Sequence, residues 1–491
     1  MGRVVMKNKF YITTTLPYVN AAPHVGFALE IVQADVVARY HSILGDEVFF
    51  NTGTDEHGLK VYQKAVEEKR EPQKYCDECA AKFDLLKEKL NLSYNNFIRT
   101  TDKNHIEACQ EFWKRCEKNG DIYKKNYKTK YCVGCELEKT DSELVDGKCP
   151  IHPNREIEII EEENYFFKFS KYQKPLLDFY DKNKNFVVPT HRQKEIYNFV
   201  KTGLQDFSIS RLKTKMPWGV PVPGDNDHIM YVWFDALINY ISCLDWPKNE
   251  KKFKEFWGTD RKPNAIQVAG KDNLRQQTAM WQAMLLSAKL PTSKQVFIHG
   301  FINLEGQKVS KSSGITLPNP IELVDKYGID ATRYYLLRGI PSSEDGEFSI
   351  ERFEELYNAD LANGLGNLAA RVLTLTIKNN IQLGKPEKEI LKLTEETKKD
   401  CAKLIEEFEF NQALESIWRL ISFCNVYIDT HKPWELVKTD KNKLKQVLSN
   451  LLFCVSEISD LIAPFLPETS QKIKEQIKIS KIEIFFKRID K

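Results

Sequence analysis

The stretch FYITTTLPYVNAAPHVGF, Phe10 to Phe27, decides the fold: an apolar run breaks at a turn, and a long helical pattern begins at Gly26. Downstream, Leu29, Val32, Val36 and Tyr40 fall on one face at helical spacing. A buried strand feeding a helix exposes the helix's amino end, with free N–H groups and the positive end of its dipole. Such a place attracts phosphate. Gly26 would let a nucleotide approach the backbone, and His24 could hydrogen-bond a phosphate oxygen. On PHVGF alone, a turn glycine beside a helix-capping histidine is the commoner reading.

Working outward from residue 10 to about 116, short apolar runs alternate with helices, DEVFFNTGTDEHG (46–58) forming a second strand and loop that is followed by helices to Cys116. This is α/β wording. From 117 to 225 the character changes to a cysteine-rich stretch, an acidic run REIEIIEEEN (155–164) and prolines near 216–223, which reads as an inserted module. Strand-like wording returns in HIMYVWFDALINYI (228–241), NAIQVAG (264–270) and KQVFIHGFINL (294–304), predicting further parallel strands. After about 321 the chain turns helical. Phe410, Leu414, Ile417, Ile421 and Ile428 keep helical spacing, and LKQVLSNLLFCVSEISDLIAPFL (444–466) repeats the pattern until Pro464 and Pro467. The expected architecture is therefore α/β: a split, Rossmann-like parallel sheet, an inserted connective domain, and a C-terminal α-helical bundle.

At 491 residues the chain exceeds one hydrophobic core, and its 42% hydrophobic and 29% charged content suits several soluble domains. A net charge of +3 neither announces nor excludes a nucleic-acid partner, which local patches such as YKKNYKTKY (123–131) could serve. No apolar stretch reaches the length of a membrane span, and the start MGRVVMKNKF lacks a signal peptide's apolar core. A cytoplasmic protein without membrane contact is expected.

Eleven cysteines, an odd number, argue for free thiols and a metal site rather than disulfides. Cys76 and Cys79 lie in a helical pattern without a second pair. Cys132, Cys135, Cys149 and His152 differ, forming C-x2-C-x13-C-x2-H across a short polar loop with glycines in the knuckles. Two close pairs of soft or imidazole donors suit one structural, tetrahedral zinc with no open position. Further on, EGQKVSKSSGITLPNP (305–320) follows a strand and places Lys308 and Lys311 in a glycine- and serine-rich loop. Those lysines could neutralise charge on a leaving pyrophosphate.

HVGF (24–27) and KVSKS (308–312) together resemble the paired HIGH and KMSKS motifs of class I aminoacyl-tRNA synthetases. The likeness extends through TTTLPYVNAAPHVG, NTGTDEHG, YVWFDALINY, VAGKDN, FIHGF, NADLANGLGNLAARV and HKPWEL, in order over nearly the whole chain. That set is similar to the methionyl-tRNA synthetase family. The resemblance implies a methionine pocket of Tyr18, Asp55, Trp233, Ala236, Tyr240 and His299. It implies ATP at His24, Gly26, Gly270, Asp272, Lys308 and Lys311, with His24 and both lysines catalytic and Mg²⁺ accompanying the nucleotide. It implies Asn367, Arg371 and Trp434 as anticodon readers, and one zinc knuckle.

The implied domains are a first catalytic half at 1–116, a connective insertion at 117–225 and a second catalytic half at 226–320. A linking stem-contact region at 321–360 and an anticodon-binding bundle at 361–491 follow. The implied reaction is ATP-dependent activation of L-methionine, then transfer to tRNA(Met), initiator included, by a monomer. Two departures stand out: Phe27 replaces the last histidine of HIGH, and Val309 the methionine of KMSKS. The first casts doubt on a phosphate role for that fourth position; the second leaves both charges in place. An enzyme for leucine, isoleucine or valine is disfavoured because roughly 110 residues between the sheet halves leave no room for an editing domain. Cysteine activation, a small-molecule nucleotidyltransferase and a non-catalytic zinc-bearing RNA binder are the remaining rivals.

Overall fold

The computed structural model describes residues 7–20, 22–135, 137–139, 141–304, 307–308, 318–479 and 483–489. Its centre is a six-stranded parallel sheet. In chain order the strands are β1 (Lys9–Thr14), β2 (Glu47–Thr54), β3 (Asn96–Arg99), β4 (Val187–Val188), β5 (Ala265–Gly270) and β6 (Gln295–His299). Their spatial order is β3-β2-β1-β5-β6-β4. Tyr11 lies opposite Phe49 on one side and Ala265 on the other, so the two halves of the split sheet meet at β1 and β5. An open parallel sheet carries its ligand site outside the carboxyl ends of its strands, where the strand order reverses. Here that crevice lies between the ends of β1 and β5.

Helix α1 (Val25–Ile43) leaves the end of β1 as predicted. It is buried all round from Ala28 to Ala38, polar Glu30, Gln33 and Asp35 included, because it runs between the sheet and the helical half. Arg333, fully buried, clasps these layers: it meets Asp35 at 2.7 Å and donates to the Phe465 carbonyl at 2.8 Å. Burial disfavours its charge and lowers its pKa, an effect that the Asp35 carboxylate only partly offsets. A single apolar core runs from Phe10 and Val32 through Leu336 to Ile417 and Val455.

Three sequence expectations are corrected. HIMYVWFDALINYI supplies no parallel strand: His228–Met230 pairs antiparallel with Ser210–Leu212, then Val232–Ala236 (α2) and Asn239–Ser242 are helical. Nearly every residue there is buried, and a fully buried apolar run has no periodicity to separate strand from helix. The region 117–225 is not one separate module. Ile122–Cys132 and Glu158–Phe167 form an antiparallel ribbon in a four-stranded sheet, but Val187–Val188 returns to the edge of the central sheet beside β6. Third, the helices expected up to residue 116 are interrupted by β3, whose four residues are too few for a pattern.

The basic YKKNYKTKY and the acidic 155–164 run prove to be partners. Lys128 faces Glu161 across the ribbon at 3.2 Å, and Lys124 reaches Glu163 at 3.7 Å. Two of the four lysines of the basic stretch are thus paired with the acidic strand, while Lys130 pairs with Asp141 outside it. The helical half contains Asn367–Lys378, Lys388–Glu406, Phe410–His431, Pro433–Thr439, Lys441–Leu461 and Pro467–Ile479. Pro464 follows a helix end, whereas Pro467 opens the next helix at its first position. No described helix is long and apolar enough to cross a membrane.

Candidate active site and metal centre

A cavity of about 760 Å³ opens at the carboxyl ends of β1, β2, β5 and β6. It brings together Tyr18, Asp55, Trp233, Ala236, Tyr240 and His299 with His24, Gly26, Gly270 and Asp272. Ten residues scattered over 282 positions, from Tyr18 to His299, thus share one cleft. Lys308 is placed only by its backbone, which pairs with Asn303. Lys311, with most of KVSKS, lies outside the described residues.

At the helix end of the cleft, His24 is the N-cap of α1 and its Nδ1 accepts the Gly26 N–H at 3.1 Å. The capping reading and the phosphate-site reading of PHVGF therefore describe one geometry: an exposed imidazole at the dipole's positive end, on the cleft wall. Phe27 answers the missing histidine by packing. Its ring meets Phe83 edge-on at 5.5 Å, within a small cluster including Val61 and Tyr75.

Deeper in, Tyr18 and Asp55 are joined by an isolated parallel bridge, and the Val19 N–H donates to the Asp55 carbonyl at 3.2 Å. The Asp55 loop is anchored on both sides. Glu56 takes Arg99 through both oxygens at 2.6 and 2.9 Å, while His57 Nδ1 stands 3.2 Å from the fully buried Asp235 of α2. Burial opposes ionisation of Asp235, but the charges and hydrogen bonds of His57 and His105 win and lower its pKa. Trp233 from the same helix meets Tyr18 edge-on at 6.4 Å, and both rings line the cleft.

His299 is buried at the end of β6. Its Nδ1 donates to the Gly300 carbonyl at 2.7 Å, and its Nε2 faces Glu30 at 3.0 Å. Burial lowers its pKa, yet the Glu30 hydrogen bond and charge outweigh that and the net shift is upward. Glu30 in turn accepts the Thr15 N–H at 2.7 Å and hydroxyl at 2.6 Å. A methyl at Gly270 would sit 2.7 Å from Asp272 Oδ1 and 3.5 Å from His299, so glycine keeps that corner open. Sequence reading missed Glu30 and Gln277, both in the cleft wall. Glu30 lies on the helix's buried side, where a carboxylate at one turn's distance from Gly26 was the available signal.

The four predicted metal donors also converge. The ligand atoms of Cys132, Cys135, Cys149 and His152 lie within 4.8 Å of one another. Cys135 Sγ is 3.2 Å from His152 Nδ1 and 3.4 Å from Cys149 Sγ. A Cβ at Gly134 would overlap the His152 ring, at 2.4 Å from Cγ, so this glycine makes the knuckle possible. Burial pushes the Cys135 thiol up. Cys149 is shifted down: hydrogen bonds from Cys135 and the backbone outweigh its burial. Three sulfurs and one imidazole, mutually close, with Cys132 and Cys149 buried and Cys135 and His152 half-buried, fit a closed tetrahedral metal site. Cys135 and His152 also line the cleft.

In the helical half, Trp434 is 46% exposed on the helix Pro433–Thr439, so it is not packed away as a staple. Lys432 takes a left-handed conformation, φ 43°, that ends the preceding helix and caps the start of this one. Arg371 pairs with Asp429 at 2.9 Å, and Asn367 is exposed one turn earlier on the same helix.

Set beside known proteins, residues 10–158 and 143–373 match the family model described as tRNA synthetases class I (M), and 387–487 match the anticodon-binding domain of tRNA ligases. The split parallel sheet with its helix-amino-end cleft is thus that of a class I tRNA synthetase. The methionine–tRNA ligase of Rickettsia felis is 39% identical over 495 aligned positions, covering 99% of this chain and 95% of the relative. That of Nostoc sp. is 42% identical, covering 95% and 89%. A crystal structure of Mycobacterium tuberculosis methionyl-tRNA synthetase bound by methionyl-adenylate superposes with a TM-score of 0.89 at 36% identity, covering 95% of this chain and 94% of that one. The chain belongs to the methionyl-tRNA synthetase family.

Proposed function

We propose that this chain is a methionine–tRNA ligase whose two steps both occur in the cleft between β1 and β5. The observation that carries the reading is the convergence of Asp55, Trp233, Tyr240, His24, Gly270 and Asp272 on one cavity. Asp55 would bind the substrate ammonium, and Trp233, Tyr18, Ala236 and Tyr240 would wall the polarizable thioether, with His299 beside them. Asp272 would accept from a ribose hydroxyl, and Gly270 would let the nucleoside close on the sheet. His24 and the amino end of α1 would face the phosphates.

The methionine carboxylate attacks the α-phosphorus of ATP in line, and pyrophosphate leaves. The terminal adenosine hydroxyl of tRNA(Met), initiator tRNA included, then attacks the adenylate's carbonyl carbon and AMP leaves. No side-chain nucleophile is needed. The protein supplies position and charge, His24, Lys308 and Lys311 stabilising the phosphoryl oxygens. Mg²⁺, entering with ATP, would neutralise pyrophosphate charge. Zinc on Cys132, Cys135, Cys149 and His152 would be structural, one per chain, holding the insertion at the cleft rim. Asn367, Arg371 and Trp434 would read the anticodon by hydrogen bonding and stacking. A cytoplasmic monomer is part of the reading.

Pyrophosphate exchange into ATP with methionine, cysteine, leucine, isoleucine and valine tests it. Exchange with methionine alone is expected; exchange with another amino acid would discard the pocket, and none at all would favour a non-catalytic RNA binder.

A further inference from the structure

The ends of β5 and β6 are tied together by a carboxylate that belongs to neither strand. Asp345 stands just before the short strand Gly346–Phe348, in the region that follows the lysine loop. Its Oδ1 accepts the Phe301 N–H at 2.9 Å, and Lys271 Nζ donates to both of its oxygens, at 2.7 and 2.6 Å. The Phe301 carbonyl accepts the Gly346 N–H at 2.9 Å, so residues 345 and 346 take both main-chain groups of Phe301. The chains run close here: a Cβ on Gly300 would lie 2.2 Å from the Glu344 carbonyl carbon, and glycine alone avoids the overlap. The Lys271 ammonium also lies 4.4 Å from the centre of the Phe301 ring. Burial opposes ionisation of Asp345, yet the hydrogen bonds from Lys271 and the Phe301 N–H win and hold its carboxyl below the ordinary range. A lone, half-exposed ion pair contributes little. This one is bidentate, shares its carboxylate with a main-chain donor and lies against an aromatic face, so several contacts fix the same geometry.

What the clasp joins matters more than its strength. On one side, Lys271 sits between Gly270 and Asp272, which line the cleft; on the other, Gly300 and Phe301 line it too. From Phe301 the chain enters the strand Ile302–Leu304, which pairs parallel with Gly346–Phe348 and antiparallel with Gln307–Lys308. We propose that Asp345 is a positioning residue for the nucleotide, fixing the turn that carries Asp272 against the strand pair that carries Lys308. The inference rests on the proposed placing of the ribose at Asp272 and of the phosphates at the lysines. ATP then spans two chain segments whose separation one carboxylate sets. An error of about an ångström in that separation would misplace the α-phosphorus against the attacking carboxylate. Asp55 and Trp233 stand on other elements, so the clasp leaves that side of the amino-acid pocket untouched.

The test measures the KM for ATP and the KM for methionine separately in pyrophosphate exchange. Asp345→Ala should raise the ATP KM roughly tenfold and leave the methionine KM within about twofold. Asp345→Asn keeps an acceptor for the Phe301 N–H but loses the charge, and should raise the ATP KM about threefold. Lys271→Met should match Asp345→Asn, and combining Lys271→Met with Asp345→Ala should be no worse than Asp345→Ala alone, because the two residues act as one contact. The milder variants carry the test should Asp345→Ala fail to fold. The two KM values rising together, or an ATP KM that stays put in a folded variant, would reduce the clasp to structural support and overturn the proposal. Asp272→Ala separates the two layers: an unchanged ATP KM there removes that turn from the nucleotide end, and with it the reading beneath the proposal.

Discussion

At the end of the cleft proposed for the amino acid, the walls are side chains already locked to buried partners, Tyr240 by Gln277 and His299 by Glu30, whereas at the end proposed for the phosphates His24 is exposed and caps its own helix. The difference follows from what each end must recognise. A small, nearly apolar side chain offers one weak acceptor, so selection depends on groups fixed beforehand in a dry pocket. A triphosphate brings several charges whose field reaches surface groups without fine placement. The first kind of recognition has to be built into the core; the second can be hung on a helix end and a loop.

The largest effect that would sharpen this contrast belongs to the proposed phosphate end. Lys311→Ala should slow adenylate formation by roughly 100-fold, about 3 kcal/mol, with the methionine KM little changed. A rise in methionine KM instead would erase the division between the two ends. Asp55→Asn should do the reverse, raising the methionine KM by roughly 10- to 100-fold through loss of a charge-assisted contact while sparing the KM for ATP. Parallel changes in both constants would mean that the Asp55 loop merely holds the cleft together.

Two smaller effects probe parts outside the cleft's depth. Trp434→Ala should reduce tRNA charging about tenfold and leave pyrophosphate exchange at its normal rate, since loss of one stacked base costs roughly 1–3 kcal/mol. Slowed exchange would show that the helical half supports the catalytic site rather than reading RNA. Cys135→Ser should lower bound zinc from about one per chain toward none by elemental analysis, while exchange falls only modestly. Full metal content in that variant removes Cys135 from the ligand set.

The smallest effect concerns His299. Its pKa is raised in the folded state, so folding holds the imidazole proton more tightly than the unfolded chain does. The stabilisation is complete below about pH 6.5, the unfolded value, and is lost as pH rises through the higher folded value. The melting-temperature gap between the unaltered chain and His299→Gln should therefore be widest in mild acid and narrow toward alkaline pH. A gap that widens with pH would reverse the assigned charge of the His299–Glu30 pair.

How much of this was legible beforehand depended on the kind of signal. His24 and Gly26 stand at a strand-to-helix junction that periodicity alone reveals, and the metal donors declare themselves by spacing. Trp233, Tyr240 and His299 were legible only through family likeness, because a buried aromatic or histidine looks the same in a core and in a pocket. Gln277 gave no signal at all. A glutamine in a helical run is ordinary until its amide is seen between Gln267 and Tyr240.

The order of the motifs, the C-x2-C-x13-C-x2-H knuckle, and the α/β-then-helical division were determined by the sequence alone, since each depends on contacts or periods short enough to be written locally. Only the tertiary structure decided that HIMYVWFDALINYI coils rather than extends, that Val187–Val188 closes the sheet's edge, and that YKKNYKTKY pairs in register with the acidic strand beside it. Those outcomes turn on which residues, remote along the chain, become neighbours in a low-dielectric interior, where a buried donor must find an acceptor.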